Sequence, residues 1–264
     1  MTNALTIGII GGSGMLGRAI AHALLNRMVL PASDLWISSR SGQHTGFEQF
    51  PDVNMTTDNA QLCDACEIVI LAVPPALAPR IGVHVPGKLV ISVMAGMTIG
   101  ELQALTGSHR VVRAMSSPAA ELGLAYSPWH ASPAIDADDR DRVTSIFSAC
   151  GATDEIGDEN HLDHFTAMTG PVPGFVAFYA QCMIDYAVKA GIPPEIADRA
   201  IRQLFFSAGT MLAHGEASPA DHVQQMIDYA GTTAAGLIAM KNSPIPDAIA
   251  EGLGAAVEKA RNIR

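Results

Sequence analysis

Charge is scarce in this sequence. Asp, Glu, Lys and Arg make up 16% of its 264 residues against 48% hydrophobic residues, which excludes an intrinsically disordered chain. Basic residues are scarcer still. There are 16 Lys and Arg against 26 Asp and Glu, a formal net charge of −10, and no Lys/Arg cluster reverses that sign locally. Such a surface repels a phosphate backbone, so nucleic acid is excluded as a partner. No apolar run reaches the roughly 18 residues that span a bilayer, although the mean hydropathy is positive. The N-terminus has no basic patch ahead of a long apolar stretch. Its apolar residues 5–10 run straight into glycines, as a strand and turn do and a secretion signal does not. The expectation is a soluble, cytoplasmic protein, long enough for two domains that each bury a core.

Cysteine is also rare: Cys63, Cys66, Cys150 and Cys182. Cys63 and Cys66 form a lone CxxC with no second pair or His pair to complete a zinc site. A redox CxxC follows a strand at a helix start; this one precedes a strand, and reads as reduced thiols at a helix end. His161 and His164 stand i, i+3 with no further ligands nearby, so no metal is expected. There is no internal repeat and no low-complexity linker.

What is present is a pattern of short apolar runs. Leu5-Thr6-Ile7-Gly8-Ile9-Ile10 suits a strand buried on both faces of a parallel sheet. Helical spacing follows at Ala19, Ile20, Ala23 and Leu24. Further strands read at Leu35-Trp36-Ile37, at Ile68-Val69-Ile70-Leu71-Ala72-Val73 (stopped by Pro74-Pro75), at Leu89-Val90-Ile91-Ser92-Val93 and at Val111-Val112. Strands alternating with helices indicate a doubly wound α/β domain. From Asp163 onward the spacing is helical only, with room for roughly five helices between breakers. The expected division is 1–157 as a dinucleotide-binding Rossmann domain with a parallel sheet and 158–264 as an all-α domain. Met168, Met183, Met211, Met226 and Met240 fall in the helical stretches and read as core packing.

Between the first strand and helix lies Gly11-Gly12-Ser13-Gly14-Met15-Leu16-Gly17, which contains GxGxxG as Gly12, Gly14 and Gly17. The first glycine permits the turn, the second lets the backbone approach a pyrophosphate, and the third allows close helix–strand packing. The helix N-terminus at Met15 and Leu16, with Ser13 beside it, offers unpaired N–H groups to phosphate. The second strand ends Ile37-Ser38-Ser39-Arg40-Ser41. No carboxylate stands there to bond a ribose 2′-hydroxyl, whereas Ser39 and Arg40 suit a 2′-phosphate, so NADPH is expected over NADH.

The whole chain resembles bacterial pyrroline-5-carboxylate reductase, a family that reduces a cyclic imine to proline. The resemblance is carried by Asp58-Asn59-Ala60, Ile70-Leu71-Ala72-Val73-Pro74-Pro75, Ile91-Ser92-Val93-Met94-Ala95-Gly96 and Arg113-Ala114-Met115. In the second half it is carried by Thr166-Ala167-Met168-Thr169-Gly170 with Pro173 and Phe175, and by Ala230-Gly231-Thr232-Thr233-Ala234-Ala235-Gly236-Leu237. Departures stand at Ser116-Ser117 for the family's Pro-Asn, Pro171-Val172 for Ser-Gly, and Asp228-Tyr229-Ala230 for Ser-Pro-Gly. The glycine loop is similar to that of the deazaflavin-dependent NADP reductases.

The resemblance implies that Asn59, Ala72, Val73, Pro74, Ala95 and Gly96 join the glycine loop in holding the cofactor, with the nicotinamide near Val73-Pro74 and Ala95-Gly96. It puts substrate at residues 230–233: Thr233, with Thr232, as the catalytic hydroxyls, and the N–H groups of Ala230, Gly231 and Thr232 for a substrate carboxylate. The same threonines also suit N-capping of a helix beginning near Ala234. A carboxylate at Asp228 opposes an anionic substrate. The family implies a homodimer or larger homo-oligomer formed through the helical domain, where Phe175, Phe178, Tyr179, Met183, Phe205 and Phe206 exceed what a small bundle buries. Two other functions stay open: reduction of a different imine or carbonyl, and NADPH-dependent regulation without turnover. A 3-hydroxyacid dehydrogenase is disfavoured, since residues 170–179 hold no lysine.

Overall fold

The structure, a computed structural model, describes residues 5–263. Its contacts divide the chain into two compact units, residues 1–172 with 255–264, and residues 173–254.

The first unit is built on β1 (Ile7–Ile10), α1 (Met15–Asn26), β2 (Leu35–Ser38), β3 (Asn54–Thr56), α2 (Asn59–Ala65), β4 (Ile68–Leu71), β5 (Leu89–Ser92), α3 (Ile99–Thr106), β6 (Val111–Ala114), β7 (Ala125–Tyr126), β8 (Trp129–Ala131), α4 (Ala137–Cys150) and β9 (Gly151–Ala152). Seven strands form one sheet in the order β3-β2-β1-β4-β5-β6-β8, with a separate β7-β9 pair. All pairings in the large sheet are parallel except β6 with β8, where Ala114 faces Trp129 across an antiparallel edge. This is the expected Rossmann architecture. β1 and β4 carry four buried residues each, as a strand covered on both faces must. The chain leaves β1 toward β2 on one side and later returns as β4 on the other, so a crevice opens beyond their carboxyl ends, where such sheets bind ligands.

One apolar core, including Ile7, Ile9, Ile20, Leu24, Phe47 and Phe147, covers one face of the sheet. A second, around Leu62, Val69, Leu71, Val90 and Leu102, covers the other. Burial of this kind, at about 25 cal/mol per Å² of apolar surface, is what stabilises the unit. Cys63 lies in α2 and Cys66 caps its end. Lys88 Nζ donates to the carbonyls of Cys63 and Cys66, a cation on the negative end of the helix dipole. Burial pushes both thiols up, Cys66 to about 12, opposite to what a reactive thiol needs.

After α5 (His161–Met168) the chain is helical among the described residues: α6 (Gly174–Lys189), α7 (Pro194–His214), α8 (Pro219–Asp228), α9 (Thr232–Lys241) and α10 (Ile245–Arg261). Within the second unit α6 packs on α7 and α8 on α9. Among residues 173–254 only Ala197 and Ala234 are buried. Of the five methionines expected in a core, Met183 is half-buried and the other four are exposed. Met211 is 64% exposed, and Met168, Met226 and Met240 are exposed too, because in one protomer these helices present apolar faces that no other element covers. Among the described residues no helix is long and apolar enough to cross a membrane.

Candidate active site

Two cavities flank the glycine loop of the first unit. Both lie at the carboxyl edge of the sheet.

The larger, about 500 Å³, runs from the loop to the ends of β2 and β4. Ser13, Gly14, Ser39, Arg40 and Asn59 line it, and so do Ala72, Val73 and Pro74. The loop's shape follows from its glycines. Gly11 sits at φ +84°, and a Cβ there would meet the Ala72 carbonyl at 2.7 Å. A Cβ on Gly12 would strike Ile37 at 2.8 Å, so Gly12 fits the loop onto β2 and does not itself line the cavity. A Cβ on Gly17 would lie 2.5 Å from the Gly11 carbonyl. The Gly11 and Gly12 N–H groups donate to Ser38 O at 3.0 and 3.3 Å. Gly14, the N-cap of α1, gives no side-chain cap, and the first turn carries no acidic residue. The leading N–H groups of α1 therefore keep their demand for an anion. A dinucleotide pyrophosphate fits this cradle.

Asn59 has a task its sequence position does not reveal. Its Oδ1 accepts from Ser38 Oγ, and its Nδ2 donates to Ile81 O at 2.7 Å. It thus ties β2 to the 3₁₀ turn Pro75–Arg80 that follows β4. Its neighbour Asp58 caps α2, accepting from Ala60 N at 2.8 Å. Polar lining residues not expected from sequence include Ser38, Thr57 and Arg80.

The second cavity, about 430 Å³, is mostly apolar. Met15 and Leu16 open it from α1, Met94 and Ala95 follow β5, and Met115 and Ser116 follow β6. Pro171 and Val172 complete its far side. Gly96 does not line it. Gly96 sits at φ +70°, with Ala260 O at 2.8 Å from the place of a Cβ, and so seats the loop after β5 against the end of α10. The one cation here is Arg113, 4% exposed. Its guanidinium meets Asp163 at 2.5 Å and Glu159 at 3.3 Å, and Arg261 stands 3.8 Å from the second Asp163 oxygen. Ser116 Oγ pairs with Ser127 Oγ at 2.8 Å, while the Ser117 hydroxyl is buried without a partner.

The turn at residues 230–233 belongs to the second unit. Its helix starts earlier than expected: α9 begins at Thr232, its N-cap is Gly231, and no side chain caps it. The capping alternative for Thr232 and Thr233 therefore fails; both are exposed. The Ala230 N–H is already spent on Ile227 O at 3.0 Å, so it is not available to a carboxylate. Ala230 has φ +58°, a conformation that favours glycine, the residue the family usually carries there. Asp228 Oδ1 accepts from Gln224 Nε2 at 2.7 Å, one turn back along α8. Among the described residues no group of three or more His, Cys, Asp or Glu is placed to hold a metal.

Known proteins fit this geometry. The family model "Pyrroline-5-carboxylate reductase dimerisation" matches residues 159–263, and "NADP oxidoreductase coenzyme F420-dependent" matches residues 6–96. Pyrroline-5-carboxylate reductase of Synechocystis is 27% identical over 98% of each chain. Over nearly its whole length the chain is similar to pyrroline-5-carboxylate reductases. Among solved structures, the Plasmodium falciparum pyrroline carboxylate reductase with NADP bound is 26% identical, with a TM-score of 0.82 over 100% of this chain and 99% of that one. The Coxiella burnetii enzyme, at 23% identity, shares the fold with a TM-score of 0.87 over 99% of both chains. The second match explains the glycine loop, whose likeness to the deazaflavin-dependent reductases is a likeness of the nucleotide-binding half.

Proposed function

We propose that the protein is an NADPH-dependent reductase of a cyclic imine, 1-pyrroline-5-carboxylate, giving proline. The observation that carries this reading is the end-to-end similarity to reductases of that name, over 98% of both chains in the Synechocystis case. The glycine cradle and the Ser39–Arg40 end of β2 support NADPH as the cofactor. The start of the dimerisation match at residue 159 supports a division into 1–157 for the cofactor and 158–264 for assembly and substrate. We read the protein as a homo-oligomer acting in the cytoplasm.

Reduction of the C=N bond needs a hydride at carbon and a proton at nitrogen. When bound, the cofactor supplies the hydride from its nicotinamide C4. The protein's part is orientation, chiefly an entropic contribution, and a hydrogen bond to the nitrogen as it takes the electron pair of the C=N bond. Met15, Leu16, Met94 and Ala95 exclude water around the second cavity. Thr233 is the donor to the nitrogen. A threonine is too weak an acid to be the proton source, so its hydroxyl positions the substrate while an iminium proton or a water completes the step. The Gly231 and Thr232 N–H groups, at the start of α9, hold the substrate carboxylate. The Gln224 bond to Asp228 takes up part of the charge that would oppose that anion.

The test is NADPH oxidation with pyrroline-5-carboxylate and with six-membered-ring imines, for wild type and Thr233→Val. We expect turnover of the five-membered ring and a loss of ~10²-fold in the variant. A variant within twofold of wild type removes Thr233 from catalysis. Turnover of the six-membered ring alone reassigns the substrate, and NADPH binding without any turnover makes the protein a sensor.

A further inference from the structure

The cavity beneath β2 and β4 is electrostatically unusual for this protein. The chain carries a net charge of −10, yet no carboxylate lines this cavity, while Arg40 and Arg80 both do. Neither guanidinium has a hydrogen bond or ion pair among the described residues. Arg110, Arg113, Arg140, Arg202 and Arg261 are each paired with a carboxylate, whereas Arg40 and Arg80, like Arg18, Arg27 and Arg199, are in no ion pair among the described residues. Both side chains are exposed at the cavity, and their two positive charges suit a phosphate monoester, which brings nearly two negative ones.

Which phosphate they serve follows from the Asn59 bridge. Asn59 joins Ser38, at the end of β2, to Ile81, the residue after Arg80. Arg80 is thereby tied to the side of the cavity where Ser39 and Arg40 stand. The pyrophosphate's place is at the start of α1, and the end of the second strand is where a Rossmann site reads the ribose. We propose that Arg80 and Arg40 together clamp the 2′-phosphate of the dinucleotide, and that Arg80 is a determinant of cofactor choice. The proposal rests on the reading of the protein as an NADPH enzyme.

Binding of 2′-phospho-ADP-ribose and of ADP-ribose to the full chain, measured by calorimetry, separates the two claims, since neither probe depends on catalysis. Wild type should prefer the 2′-phosphorylated probe. Arg80→Ala should weaken that probe by about tenfold or more, the loss expected for one charge-assisted contact, while changing ADP-ribose less than twofold. Arg80→Lys should retain part of the preference, as a point charge without the fork. The Arg40→Ala and Arg80→Ala effects should be non-additive in the double variant, because both side chains meet one group. Equal weakening of both probes by Arg80→Ala, as for a side chain stacked on adenine or bonded to the pyrophosphate, overturns the proposal and leaves NADPH standing. So does an unchanged preference. A wild type that binds both probes equally overturns the NADPH reading and the proposal with it.

Discussion

Arg113 shows at the scale of one residue how an apolar cavity can carry a cation. Taking a guanidinium out of water is tolerable only with close carboxylates, and Asp163 and Glu159 both reach it from the chain that follows the sheet. Glu159 also accepts from Ile99 N at 2.7 Å, so the same carboxylate steadies the start of α3. Removing one partner of a buried pair costs about 3–5 kcal/mol, because the other charge is left unpaired. Glu159 retains some compensation, so Asp163→Ala should fall near the lower end, ~3 kcal/mol. The double variant Arg113→Met/Asp163→Leu, which strands only the partly exposed Glu159 and Arg261, should lose less than Asp163→Ala alone. Urea unfolding of the three proteins checks this. A double variant less stable than the single one would mean that the pair stabilises by attraction and not merely by mutual compensation.

At the scale of elements, the glycine loop and α1 behave as one piece. Gly17 is inside the helix, yet its missing side chain is required by the loop, since a Cβ would meet Gly11 O at 2.5 Å and Gly12 Cα at 2.9 Å. Both are backbone atoms and cannot swing aside. Gly17→Ala should therefore lower stability by about 1–3 kcal/mol, as overpacking does. It should also raise the NADPH dissociation constant roughly tenfold or more by displacing the cradle. Gly100→Ala in α3 is the control: nothing lies within 4 Å of its Cβ position, and alanine is the better helix former. Equal effects of the two substitutions on NADPH binding would sink this account of the loop. The central strands were legible in the sequence because they are buried on both faces, as Ile68-Val69-Ile70-Leu71 shows. The outer strands were not. β3 is Asn54-Met55-Thr56, and β8 is three residues around His130; each is a strand only by virtue of its neighbour. The candidate cofactor site divides in the same way. Gly12, Gly14, Ser39 and Arg40 announce themselves by local chemistry. Arg80 sits in a proline-flanked 3₁₀ turn, and only the long-range bond from Asn59 to Ile81 brings it to the cavity.

For the whole molecule the decisive feature is what the second unit fails to bury. A stretch of 82 residues (173–254) with only Ala197 and Ala234 buried has no core of its own. Phe178 is 73% exposed, Tyr186 77% and Phe206 70%, on helices that a monomer would leave facing water. Soluble monomers rarely expose patches beyond a few hundred Å², whereas obligate homodimers cover roughly 2,000 Å² or more with surfaces that resemble a divided core. The dimerisation match over residues 159–263 points the same way. Folding of this half should then be linked to association, and the melting temperature should rise with protein concentration. Light scattering at micromolar concentration should give a dimer or a larger closed assembly. Phe206→Glu, which places a charge on the apolar face, should shift the protein toward smaller species, with a lower melting temperature and weakened concentration dependence. NADPH binding by the first unit should be less affected, since its glycine loop, Ser39 and Arg40 lie on a unit that buries a core of its own. A wild-type monomer at micromolar concentration, melting at a temperature independent of its concentration, would refute the linkage.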